Sequence, residues 1–141
     1  ILEHSMTSQL NVDTIVDKAG SGGSNVKMAN TSTYVSDGGN VTQNTVQSLV
    51  KVWAKFNGSS FGELDSFNVS SFTDTSSGNY TVNINNDFSN ANHASVESSG
   101  AYHTSNDSAN GVGTLNIGCY NQSHSNSDES RVAVHSCGDL A

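Results

Sequence analysis

The chain has 141 residues, a formal net charge of −8 and only 33% apolar residues. That length supplies one domain and not two, and the scattered Lys18, Lys27, Lys51, Lys55 and Arg131 exclude the clustered cations on which nucleic-acid or anionic-membrane binding rests. Ser, Asn, Thr and Gly fill the apolar deficit, a composition that disfavours helix interiors and suits short strands joined by turns.

Ile1-Leu2-Glu3-His4-Ser5 ahead of Met6 reads as a cloning scar over residues 1–5. Residues 6–48 read as an extended N-terminal arm. Leu10, Val12, Thr14 and Val16 alternate as a strand would, and Ala19 to Ser24 is a Gly/Ser linker. An isolated strand before a linker is not stable alone, so the arm is expected to attach to other virion proteins or to trimerise. Val26–Met28 is a further short strand candidate and Ser36 to Asn40 a turn cluster. Val41, Thr45, Val46 and Leu49 have the spacing of one or two helical turns.

Residues 49–141 read as a β-sandwich or jelly-roll-like domain. Val50, Val52, Ala54 and Phe56 alternate with Lys51, Trp53 and Lys55, and Asn57-Gly58-Ser59-Ser60 then has hairpin-turn chemistry. Phe67, Val69 and Ser71 alternate with Asn68, Ser70 and Phe72, Thr73 to Asn79 reads as a turn, and Tyr80, Val82 and Ile84 form the next strand. Ala94–Glu97, Thr114–Tyr120 and Arg131–Ser136 complete about six strands at sandwich-like spacing. No run approaches the roughly 20 apolar residues that span a bilayer, so membrane insertion is not expected.

The residues Val52-Trp53-Ala54-Lys55-Phe56-Asn57-Gly58, Asp65 to Ser71, Thr73-Asp74 and Gly78 to Asn83 carry a likeness to a known family. They resemble the W-x-x-F-N-G, S-F-N-V-S-S-x-T-D and G-x-Y-T-V-N segments of tail-fibre proteins of marine phages, including cyanophages, and Leu10 to Ile15 resembles the L-x-V-D-T-I start of such fibres. The resemblance covers about a third of the chain. It implies a virion protein made in the bacterial host cytoplasm, trimeric by analogy with fibres and engaged in attachment or decoration. It brings no catalytic motif, and the long shaft repeats of a full fibre are missing here. A capsid-decorating or purely structural virion protein, and a carbohydrate-binding module or carbohydrate-active enzyme, are the alternatives.

Chemistry-bearing residues support no enzyme expectation. His93, His103, His124 and His135 lack zinc-site spacing, although His135 and Cys137 share one face of a strand; no metal and no cofactor are expected. No Gly-x-Ser-x-Gly elbow is present, Glu63 and Asp65 read as solvated acids, and Gly20 to Gly23 lacks the Lys of a phosphate loop. Cys119 and Cys137 read as reduced, since a phage protein folds in a reducing cytosol, and whether they pair stays open. Asn-x-Ser/Thr sequons arise by chance in this composition. Trp53, Phe56, Phe67 and Tyr80 are expected to anchor the core or a homotrimer interface; exposed, Trp53 would instead serve as a sugar platform. Candidate contacts for a host glycan or protein receptor are Tyr102, His103, Asn106 and Asp107 in one loop and Tyr120, Asn121 and His124 in another, because recognition concentrates on loops held by a rigid scaffold.

Overall fold

The computed structural model describes residues 32–35, 41–100, 103–105 and 109–141. Leu10 to Val16, Val26–Met28 and Ser36 to Asn40 lie outside these residues. The chain is all-β and almost entirely antiparallel. After the short hairpin β1 (Thr33–Val35) and β2 (Thr42–Asn44) comes α1 (Thr45–Ser48), a single turn. Asn44 caps it, its side chain accepting from Gln47 N at 2.8 Å; of the helical spacing over Val41 to Leu49 only these four residues are helix, and Thr42–Asn44 are strand.

Eight strands follow: β3 (Val50–Asn57), β4 (Gly62–Phe67), β5 (Val69–Ser76), β6 (Asn79–Ile84), β7 (Ala94–Ser99), β8 (His103–Ser105), β9 (Thr114–Tyr120) and β10 (Val132–Cys137). They form two four-stranded antiparallel sheets, sheet I in the order β4-β3-β10-β7 and sheet II in the order β5-β6-β9-β8. One cluster of buried residues draws on both: Val52, Ala54, Phe56, Val132 and Val134 from sheet I, and Tyr80, Val82, Ile84, Leu115, Ile117 and Cys119 from sheet II. Phe56 anchors it, its ring meeting Tyr80 edge-on at 5.2 Å and Phe72 at 5.1 Å. Period-two alternation puts these residues inside and their neighbours outside.

Three details depart from simple alternation. At the start of β3 the phase slips: Val50 is exposed, Lys51 is buried and Val52 is buried. The register with β10 shifts between Ser136 and Cys137, so Lys51 is the extra residue of a β-bulge. Its ammonium donates to Val46 O. Secondly, Phe67 to Phe72 is not one strand. Asn68 adopts φ 61 and sends the chain from sheet I into sheet II. Its side chain accepts from Asn86 N (2.8 Å) and donates to Lys51 O (3.0 Å) and Asn86 O (3.1 Å). Thirdly, Thr73 to Ser76 is strand and not turn, and only Ser77 and Gly78 separate β5 from β6.

Candidate functional site

Two surfaces assemble residues with binding chemistry. The first lies on sheet II. His103 on β8 stands directly opposite Tyr120 on β9, which brings two receptor-contact candidates together from different loops. Their rings stack at 4.8 Å and 7°, and His124 sits edge-on to His103 at 4.9 Å and 75°. The Tyr120 ring folds back over Gly118, where a Cβ would meet its hydroxyl at 2.7 Å. The loop that presents His124 is internally tied: Asn121 Oδ1 accepts from Ser123 N (2.9 Å) and Ser125 N (3.1 Å), and His124 N donates to Asn121 O at 3.0 Å. Asn121 thus shapes the loop with its oxygen. Tyr102, Asn106 and Asp107 lie outside the described residues.

The second surface is the outer face of sheet I. Of the four expected anchors, Phe56 and Tyr80 enter the core, whereas Trp53 is 36% and Phe67 54% exposed. The reason is register: β3 sends Val52, Ala54 and Phe56 inward, so Trp53 points out, and Phe67 is its cross-strand partner. His135 pairs with Trp53 and Val96 with His135. Phe67, Trp53, His135 and Val96 therefore form one row across all four strands, since directly opposed residues share a face. His135 and Cys137 do share that outer face, but Cys119 is buried in sheet II and both thiols are free.

A third cluster surrounds His93. Its ring stacks on Phe88 at 4.0 Å, Nδ1 lies 2.9 Å from Ser136 Oγ and Nε2 lies 3.0 Å from Gly111 O. Ser136 is fully buried and donates to Ala94 O at 2.6 Å, so the contact ties β7, β10 and the Gly111 turn together and presents no accessible nucleophile. Beside it a hollow of ≈ 420 Å³ is lined by Gln47, Asn90, Asn92 and Asp139. Gln47 Nε2 donates to Asp139 Oδ2 at 2.9 Å, while Asp139 Oδ1 is buried without a partner. Glu63 accepts from Ser66 Oγ, and Asp65 Oδ1 accepts from Ser66 N at 2.9 Å. Among the described residues, no three His, Cys, Asp or Glu side chains form a group able to hold a metal ion.

Two titratable groups of the core are displaced. Burial pushes the Tyr80 phenol far above its ordinary range, assisted by Asp128, whose carboxylate accepts its hydroxyl at 3.1 Å, and opposed by a hydrogen bond to the Glu129 backbone. Burial likewise raises the Cys119 thiol, with a hydrogen bond to the Ser99 side chain opposing.

Comparison of the chain with protein-family models, with curated proteins and with solved structures finds no match.

Proposed function

We propose that the chain is a structural and adhesive module of a bacteriophage fibre, working as a homotrimer on the virion and contributing to host attachment. In this reading the two sheets are the faces of a β-sandwich. The local hairpins β3–β4 and β5–β6 favour a simple sandwich over a jelly roll. The observation that carries the assembly is a run of exposed apolar side chains at the N-terminal end: Tyr34 is 67%, Val35 49%, Val41 66%, Leu49 52% and Val50 44% exposed. Covering the exposed part of such side chains is worth about 1 kcal/mol each, and a symmetric neighbour supplies a matching face to cover them. They fall in and beside the arm expected to attach or trimerise. The phage assignment draws on the Trp53 to Asn83 resemblance.

Light scattering on the purified chain tests the assembly: a trimer is expected, and a stable monomer at micromolar concentration sinks it. Binding to host cells separates adhesin from a capsid-decorating protein, with labelled electron microscopy of virions placing it on tail or capsid. Release of reducing sugar from host polysaccharide would overturn the non-enzymatic reading.

A further inference from the structure

The outer face of sheet I also contains a groove, and its origin is in residue size. Alternate residues form columns on this face: Trp53 and Lys55 on β3, His135, Ala133 and Arg131 on and just before β10, and Val96, Ser98 and Gly100 on and just after β7. The middle positions Ala133, Ser98 and Gly100 are small, whereas Trp53, Lys55 and Arg131 are large. Two adjoining clefts of ≈ 340 and ≈ 400 Å³ result, and Lys55, Ser98 and Ala133 line both. Trp53 and Val96 wall the first, and Arg131 closes the second.

The charged residues that line the two clefts are both cations. Of the described Lys and Arg residues, Lys51 is buried against Val46 O, and the other two, Lys55 and Arg131, both line this groove. Lys55 pairs across strands with Ala133, two positions from Arg131, a diagonal separation of about 7–8 Å. Neither side chain has an ion pair or hydrogen bond among the described residues. Asp65 stands across β4 from Lys55, and the Glu129 carboxylate lies near Gly100, where a Cβ would be 3.4 Å from it. With −8 on the whole chain, these two acids repel a long polyanion such as nucleic acid. A short ligand with one anionic group between the two cations avoids them.

We propose that this groove binds an acidic saccharide, its carboxylate or ester anion held between Lys55 and Arg131 and the apolar face of a sugar ring resting on the Trp53 indole. A guanidinium meets a carboxylate or sulfate with two parallel hydrogen bonds, an exposed ring covers the C–H face of a pyranose, and Ser98 supplies a hydroxyl between the two. The groove deepens the attachment reading by naming a ligand class, and its biological meaning rests on that reading.

Trp53 is the sole tryptophan of the chain, so indole fluorescence reports this groove alone. Titrating the full chain with oligogalacturonate (carboxylate), a sulfated galactan oligosaccharide (ester) and a neutral galactan oligosaccharide separates the sources of the anion. Either acidic probe is expected to give a saturable change with a midpoint below about 1 mM, and the neutral one at least about tenfold weaker. The double variant Lys55→Ala/Arg131→Ala should lose at least about tenfold, ~1.4 kcal/mol, and Thr75→Ala on β5, the edge strand of sheet II, should lose nothing. Should the double variant melt early, Arg131→Glu carries the same test. No saturable change with either acidic probe, an equal response to the neutral probe, or binding retained without both cations overturns the proposal. Cell binding indifferent to the double variant spares the attachment reading and sinks the groove; saccharide binding without cell binding does the reverse.

Discussion

Gly78 is the residue on which the β5–β6 hairpin turns. Its φ is +72, and a Cβ there would lie 2.5 Å from Ser127 N and 2.6 Å from Cys119 O. The left-handed conformation alone costs an L-residue about 1–2 kcal/mol, and backbone atoms cannot step aside as a flexible side chain would. Gly78→Ala is therefore expected to lower the unfolding free energy by roughly 2–3 kcal/mol, read as a fall in the urea midpoint at unchanged slope. Tyr80 and Cys119 make a second test, through pH. Both are held protonated by burial, while in the unfolded chain the thiol ionises near about 8.5 and the phenol near about 10. Above those values the unfolded state binds fewer protons than the folded one. Stability is thus complete below them and declines as pH rises, by up to ~1.4 kcal/mol per pH unit and group. Thermal melts should show a falling midpoint from about pH 8.5, and in Cys119→Ala the fall should begin only near about pH 10. A flat midpoint through this range would refute the burial argument.

At the level of elements, alternation made β3, β6, β9 and β10 legible, because each has one buried face. It failed where the pattern is local but the pairing is not. Phe67, Asn68 and Val69 alternate as one strand would, yet Asn68 turns the chain from sheet I into sheet II, and the phase slip that brings both Val69 and Phe72 to the core is set by the irregular register with β6. Thr73 to Ser76 has turn composition, but an edge strand carries the same residues on its exposed side. Alternation places Lys51 outward, but a bulge set by pairing with β10, far along the chain, buries it. Asn68 supports a measurable claim. Asn68→Gly keeps the left-handed conformation and loses the side-chain bonds to Lys51 O, Asn86 N and Asn86 O, whereas Asn68→Ala loses both. Urea unfolding should rank the alanine variant lower by about 1 kcal/mol, with both below the parent. Equal loss in the two would show that the bonds alone set the corner.

At the level of the molecule, the described residues bury twelve apolar side chains and leave twelve large ones at least 36% exposed. Scattered exposed apolar groups are ordinary, but neighbouring ones mark interaction surfaces, and eight of these twelve fall in two places, the segment Tyr34 to Val50 and the outer face of sheet I, where Trp53, Phe67 and Val96 share a row. The candidate site was correspondingly half legible. His103, Tyr120 and His124 could be picked by residue type, and β8–β9 pairing brings them into contact. The groove between Trp53 and Arg131 could not, because it exists only once three strands are in register. Division of labour between the two surfaces follows from their chemistry. Among the described residues, Tyr34 to Val50 expose apolar side chains, and this segment is joined to the strands by polar contacts such as Gln47 to Asp139 and Lys51 to Val46 O; the sheet I face carries the exposed cations. Tyr34→Ser with Val41→Ser should therefore convert the proposed trimer to monomer in sedimentation velocity while the Trp53 response to acidic saccharide stays within about twofold, ~0.4 kcal/mol. If the two surfaces are separable in this way, saccharide affinity per site is a property of one chain, and the proposed trimer would add avidity by presenting three copies at once. Loss of saccharide binding on dissociation would instead mean that neighbouring subunits complete the groove.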